Sequence, residues 1–354
     1  MQRWPSASFV LTGVLRELRT GKALMKMLLN YLYDEERLAF LREQLGEAWE
    51  IEVIDDLGDE DQVLAKLPGT DAMVGMYWKA SYPRIDSLKL VQLAGAGFDG
   101  VDFNALPNAA SVCNVFEHEI GISEYLLLVM LEWKIRLMWL HSNLQQKRWV
   151  GTFQVGAPLH GELAGKTVGF VGYGRISSET AKRLKAFDVR TLACTRTPSR
   201  SDEYIDEITS MDGLHDVLKR SDFVVVACPL TEDTRGLIDA AALDALGPDG
   251  VIINVARGPL IDEDALWEAC RDKRIAGAAI DTWYHYPSVG SDICQPSKHP
   301  IHELDNVILS PHASGWSEGL LDRRWSFIAQ NLKALQNGKP LRNVLRAAGQ
   351  PPSF

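Results

Sequence analysis

The chain has 354 residues, 46% apolar and 24% charged, with a formal net charge of −10 at pH 7. That length predicts two domains, and an acidic balance with no Lys/Arg cluster excludes a nucleic-acid footprint. No apolar run approaches the roughly 20 residues a spanning helix needs, which excludes an integral membrane protein.

Residues 1–24 are Arg-rich and acid-poor and are set apart as an N-terminal extension. They read as a translation start placed too early rather than a transit peptide, since Met25 and Met27 each precede the first strand pattern, KMLLNYLY. An acidic helix start follows at Asp34-Glu35-Glu36, with Leu38, Phe40, Leu41 and Leu45 at near-helical spacing. Strand-like WEIEVID, DAMVGMYW and LVQLAGAGFDGVD come next. Residues 121–144 form one long apolar pattern without a breaker, predicting a single helix that crosses between domains. A Gly/Pro-rich loop then leads into TVGFVG, VRTLAC, DFVVVACP, GVIINVA, AGAAIDTW and NVILSPH. Short Val/Ile-rich runs alternating with helices predict a parallel sheet covered on both faces, and the fold class is α/β. Asp262 is expected to cap the helix DEDALWEACRDK, with Leu266, Ala269 and Cys270 on one face. Cys113, Cys194, Cys228, Cys270 and Cys294 are scattered without metal or disulfide spacing. All five read as buried thiols in a reducing cytoplasm, and no metal site is expected.

The first chemical signal is Gly172-Tyr173-Gly174, placed between a strand and a helix that opens with Arg175 and Ile176. Such glycines let backbone amides approach a pyrophosphate at a helix N-terminus. Ser177 replaces the third glycine of the fingerprint, a position that mainly needs a small residue. The next strand ends at Thr195-Arg196, with Arg200 beyond and no acid to hold ribose hydroxyls. Two arginines there suit a 2′-phosphate, so NADP(H) is favoured over NAD(H).

Taken together, AGAGFDGVD, VGYGRIS, CPLTEDTRGLID, INVARGPLIDEDAL, AAIDTW and NVILSPHASG make the chain resemble the D-isomer-specific 2-hydroxyacid dehydrogenase family over about residues 50–345. The resemblance implies two Rossmann-like/flavodoxin-like domains, the cofactor domain (121–319) inserted into a discontinuous substrate domain (25–120 and 320–354). It implies interconversion of a small-molecule 2-oxo acid and a (D)-2-hydroxy acid, by a cytoplasmic homodimer paired through its cofactor domain. Residue by residue, Arg257 matches the substrate-binding arginine and His312 the general acid/base. Ala96 and Gly97 match the turn whose amides hold the substrate carboxylate, and His118 falls near the pocket. Cys228, Pro229 and Thr234 match a loop on the adenosine side, Val255 lies beside the cofactor, and Asp281 matches an acid at the nicotinamide end. Where relatives carry a glutamate paired with the histidine, this chain has Tyr286, followed by Pro287. Glu117, Glu119 and Glu303 are alternative sources of that charge, and Trp283, Tyr284 and Tyr286 are expected to cap the pocket. The competing readings are a dinucleotide-sensing scaffold and a reductase of another substrate class; Arg257 and His312 together argue against both.

Overall fold

A computed structural model describes residues 24–57, 59–156, 159–199, 202–288 and 291–353. The N-terminal extension up to residue 23 and Arg200 lie outside the described residues. The chain opens with β1 (Met25–Asn30), α1 (Glu35–Leu45), β2 (Trp49–Val53), α2 (Glu60–Lys66), β3 (Ala72–Gly75), β4 (Leu90–Leu93) and β5 (Ser111–Cys113). It continues through α3 (Glu119–Ile135), α4 (Leu137–Gln145), β6 (Thr167–Val171), α5 (Arg175–Leu184), β7 (Arg190–Cys194), β8 (Glu207–Thr209) and α6 (Leu214–Lys219). Then come β9 (Phe223–Val226), α7 (Ala240–Leu246), β10 (Val251–Asn254), α8 (Glu263–Arg271), β11 (Gly277–Ile280) and β12 (Val307–Leu309). It closes with α9 (Glu318–Gln336) and β13 (Val344–Arg346).

These elements form two compact units, one ending at Glu117 and resuming at Leu321, the other running from His118 to Leu320. The first holds a six-stranded sheet in the order β13-β5-β4-β3-β1-β2, parallel except where β13 pairs antiparallel with β5. The second holds a seven-stranded, wholly parallel sheet in the order β12-β11-β10-β9-β6-β7-β8. Strands buried on both faces explain the unbroken apolar runs. Along β9, Phe223 and Val225 pack into one core with Phe170 and Ile253, while Val224 and Val226 face the other with Ile252 and Ile280. The first sheet divides likewise, Met27 and Leu29 facing Leu41 and Ile328, and Leu28 and Met73 facing Leu67 and Leu88.

The α/β class holds, and three expectations need correction. The helix expected over 121–144 is two helices, because Arg136 takes a left-handed conformation (φ 59°) that ends α3. The Arg136 N–H closes on the Glu132 carbonyl, and the Glu132 carboxylate accepts the Met138 N–H at 3.2 Å, capping α4. KMLLNYLY yields a strand only to Asn30, because Asp34 already accepts the Arg37 N–H as the N-cap of α1. Of the cysteines, Cys294 is exposed; Cys113, Cys194, Cys228 and Cys270 are buried, and burial pushes their thiols up to about 12, 12, 11 and 12. No described helix is long and apolar enough to cross a membrane.

Candidate active site

The second sheet reverses direction between β6 and β9: from β6 the chain moves to β7 on one side, and from β9 to β10 on the other. Open parallel sheets bind ligands outside the carboxyl ends of the strands at such a reversal. Here β6 is followed by Gly172, whose φ is +92°, and a Cβ on it would lie 2.9 Å from the Cys228 backbone at the exit of β9. Only glycine fits there. Gly174 is the N-cap of α5, with no side-chain cap, and a Cβ on it would meet nothing within 4 Å. The bare helix start thus faces open space, and the residues present fit a dinucleotide's pyrophosphate. Ser177 is buried and donates to the Gly172 carbonyl at 2.6 Å, so the missing third glycine is replaced by a hydroxyl that braces the turn.

Around this turn, Arg175 faces Glu119 across 3.6 Å, and Ile176 packs against the core. Val255 is buried, and the Thr234 hydroxyl donates to the Pro229 carbonyl at 2.7 Å, fixing the loop after Cys228. Thr195 is half-buried with its N–H on the Thr209 carbonyl, and Arg196 is exposed. The nearest downstream acid is Asp202, which the sequence reading passed over. It accepts hydrogen bonds from Tyr173 at 2.7 Å and Ser178, so both its oxygens serve the helix start.

The exits of β10, β11 and β12 carry the remaining polar side chains. In register, Asn254 pairs with Ile280 and Ile280 with Leu309, so Arg257, Asp281 and His312 emerge at one edge. Asn254 donates to the Arg257 carbonyl at 2.8 Å and shapes the turn. Gly258 is pressed against the Trp283 carbonyl with no room for a Cβ, docking that turn on the β11 exit. His312 has φ 57°, an uncommon conformation for a residue with a Cβ, of a kind that clusters at active sites. Asp281 holds it there: wholly buried, its carboxylate accepts from Ser310 (2.6 Å), the Ala313 N–H (2.9 Å) and Ser314. Asp281, expected at the nicotinamide end, is thus tied to the His312 loop.

Tyr286 places its hydroxyl 2.9 Å from His312 Nδ1 and also accepts the Trp283 N–H at 3.1 Å. The other two aromatic residues of the expected cap are tied to backbone carbonyls. Trp283 is buried with its indole N–H on the Ser310 carbonyl, and the Tyr284 hydroxyl donates to the Ile261 carbonyl. His118 lies beside the same loop, since a Cβ on Gly315 would sit 3.3 Å from the His118 Cβ. Of the alternative acids, Glu119 faces Arg175, and Glu117 approaches Arg323 at 3.9 Å.

In the first unit, Ala96 and Gly97 follow β4 in a half-buried turn. The Asn114 side chain donates to the Ala96 carbonyl at 2.8 Å. Because the joining peptide is trans, the Gly97 N–H points away from Asn114. Asn114, which no sequence motif flagged, thus fixes this turn.

Comparison with known proteins decides the family. The profile described as "D-isomer specific 2-hydroxyacid dehydrogenase, NAD binding domain" matches residues 127–314. Glyoxylate reductase of Thermococcus onnurineus is 30% identical over 332 residues, covering 89% of this chain and 93% of that one. The chain belongs to the D-isomer-specific 2-hydroxyacid dehydrogenase family. The matched profile is that of an NAD binding domain, and the Gly172–Gly174 turn lies within the matched residues. D-3-phosphoglycerate dehydrogenase of Methanocaldococcus jannaschii is 28% identical over 320 residues, and the chain spans only 57% of its length. Among solved structures, an NADPH-dependent glyoxylate/hydroxypyruvate reductase from Sinorhizobium meliloti, in complex with NADP and malonate, is 27% identical. It superposes with a TM-score of 0.74 over 94% of this chain and 99% of that one.

Proposed function

We propose that the chain interconverts a 2-oxo acid and a (D)-2-hydroxy acid, with Arg257 and His312 as its catalytic residues. The observation that carries this is the contact of His312 Nδ1 with Tyr286 at the strand edge that also bears Arg257. A bound nicotinamide dinucleotide supplies or receives the hydride. The planar guanidinium of Arg257 pairs with the substrate carboxylate and polarises the neighbouring carbonyl. In the first unit, the backbone amides at Ala96 and Gly97 are proposed substrate-carboxylate contacts. Protonated His312 gives its Nε2 hydrogen to the carbonyl oxygen, while Nδ1–H donates to the Tyr286 hydroxyl. Tyr286 stands in for the usual acid as a neutral hydrogen-bond partner.

The favoured cofactor is NADP(H). Arg196 is exposed at the β7 exit, Arg200 follows, and Asp202 is bonded to Tyr173 and Ser178. The Sinorhizobium relative was solved with NADP, which accords with this reading. Arg196→Ala is expected to weaken NADPH by roughly 1.5–3 kcal/mol and leave NADH unchanged, measured by titration. The chain is further proposed to act in the cytoplasm as a homodimer. In the Gly/Pro loop, Phe153 is 88% and Leu159 96% exposed, and Leu137, Met138 and Trp149 earlier in the chain are exposed too. These exposed apolar side chains support that reading.

The test is a panel of 2-oxo acids with NADH and NADPH, followed at the nicotinamide absorbance. Reduction with NADPH preferred is the expected result. Preference for NADH overturns the cofactor assignment alone, and dinucleotide binding without any turnover overturns the enzyme reading in favour of a sensing scaffold.

A further inference from the structure

The first sheet has a reversal point of its own. From β1 the chain passes to β2 on one side, and from β3 through β4 to β5 on the other. The carboxyl ends of β1 and β3 therefore flank a crevice of the kind that takes ligands. In this chain it is a cavity of about 390 Å³, within the range of small-molecule sites. Its walls are largely the side chains of Leu32, Leu57, Val63, Met76, Tyr77 and Tyr82. Leu32 and Tyr77 are 60% and 57% exposed, so apolar surface lies bare where an apolar group would cover it.

Charge in the crevice is cancelled within it. Lys79 donates to Glu60 at 2.7 Å, and Ser81 donates to the other Glu60 oxygen at 2.6 Å. The adjoining helix α1 starts with Asp34, Glu35 and Glu36, which turn an anion away from its N-terminus. The crevice also joins the Ala96–Gly97 turn. A Cβ on Gly95 would lie 3.1 Å from Met76 Cε, and one on Gly100 would strike the Tyr77 ring. Trp78 binds that segment through backbone hydrogen bonds, accepting from Asp102 at 2.8 Å and donating to Gly100 at 3.1 Å.

We infer that this cavity receives the substrate's side chain, and that the side chain is a branched aliphatic or aromatic hydrocarbon. The inference rests on the proposed reaction and names its substrate class. A side chain leaving a carboxylate held at Ala96–Gly97 reaches Met76 and Tyr77 first. It meets hydrocarbon there, and the one lysine of the lining is already paired. A phosphate group would find no such partner, and a substrate without a side chain would leave the walls wet.

The experiment measures kcat/KM of the full chain with its dinucleotide for 2-oxo-4-methylpentanoate, phenylpyruvate, glyoxylate and 3-phosphohydroxypyruvate. The two apolar acids are expected to exceed glyoxylate by about 10- to 100-fold, the worth of burying one such side chain. Tyr77→Ala should erase most of the phenylpyruvate advantage. Leu57→Lys, at a partly exposed position that folding tolerates, should lower both apolar acids about tenfold and raise the phosphorylated one. Glyoxylate or the phosphorylated acid exceeding both apolar acids would overturn the inference and leave the reaction standing. Reduction of none of the four, with dinucleotide bound, would overturn both. An apolar preference unmoved by either variant would remove the cavity from the account.

Discussion

Helices α1 and α5 both start just past a strand at the reversal point of their sheet, α1 after β1 and α5 after β6. Their first residues differ in kind. Asp34 caps α1 by accepting the Arg37 N–H at 2.8 Å, and Glu35 and Glu36 add acid to its first turn. Helix α5 starts from Gly174 with no side-chain cap and no acid in its first turn. A helix N-terminus carries roughly half a positive charge and unpaired N–H groups. In α1 the protein's own carboxylates use them; in α5 no side chain caps them. Topology supplies two equivalent crevices, and a few residues at each helix start decide which is open to an anion and which is closed by the protein's own carboxylates.

If the chemical step belongs to the edge of the second sheet, the largest effect comes from His312→Asn. It removes the proton donor and is expected to lower kcat by on the order of 10²–10⁴ with dinucleotide affinity unchanged. The affinity is preserved because His312 follows β12 while the glycine turn follows β6. Stopped-flow or steady-state rates beside a dinucleotide titration separate the two, and an unimpaired variant would break the assignment.

The next prediction turns the second crevice into a copy of the first. Gly174 is extended (φ −111°), and nothing lies within 4 Å of a Cβ there, so Gly174→Asp fits without strain. Its carboxylate should cap α5 and raise stability by about 1 kcal/mol. The same carboxylate should repel the pyrophosphate and weaken dinucleotide binding by about 10- to 150-fold, equivalent to roughly 1.5–3 kcal/mol. A higher melting temperature with undiminished affinity would break the comparison. The reverse change is smaller: Asp34→Ala should lower stability by about 1 kcal/mol in a denaturant melt and leave dinucleotide affinity alone.

What was legible in the sequence follows the range of the interactions. Gly172-Tyr173-Gly174, the acidic helix start at Asp34 and the Asp262 cap were readable because each bond closes within a few residues. The break at Arg136 was not, since a left-handed residue with a Cβ leaves no compositional mark and its neighbours are all helix formers. Strands β5, β8 and β13 escaped because each is only three residues long and defined by its partner, as Val344 is by Cys113. At the candidate site, residue types were visible and directions were not. Asp281 is bonded to groups 29 to 33 residues later, and the Trp283 indole is held by the Ser310 carbonyl 27 residues later. Family resemblance marked Tyr286 as out of place; only geometry puts its hydroxyl on the histidine ring.

That substitution carries the smallest prediction, because residue 286 acts through His312. A glutamate accepts hydrogen bonds and carries charge, so it favours the imidazolium over the neutral ring and raises the histidine's pKa. A neutral phenol accepts from Nδ1–H or donates to bare Nδ1, and so discriminates less between the two forms. Ketone reduction uses the imidazolium and fades as pH rises through the histidine's pKa; oxidation of the hydroxy acid uses the neutral ring and appears over the same interval. Tyr286→Glu should therefore carry both limbs to higher pH. The site is 48% exposed, so water screens the new charge, and the displacement should be at most about one pH unit with little change in the limiting rate. The Trp283 N–H, which now donates to the phenol, is placed to hold the introduced carboxylate. Tyr286→Phe removes the acceptor of Nδ1–H and should carry the limbs to lower pH. Reduction rate against pH at saturating dinucleotide, for wild type and both variants, gives three displaced curves if Tyr286 sets the histidine. Three superimposable curves would take residue 286 out of the proton path, and the neutral partner would then be a neighbour of the site without a part in it.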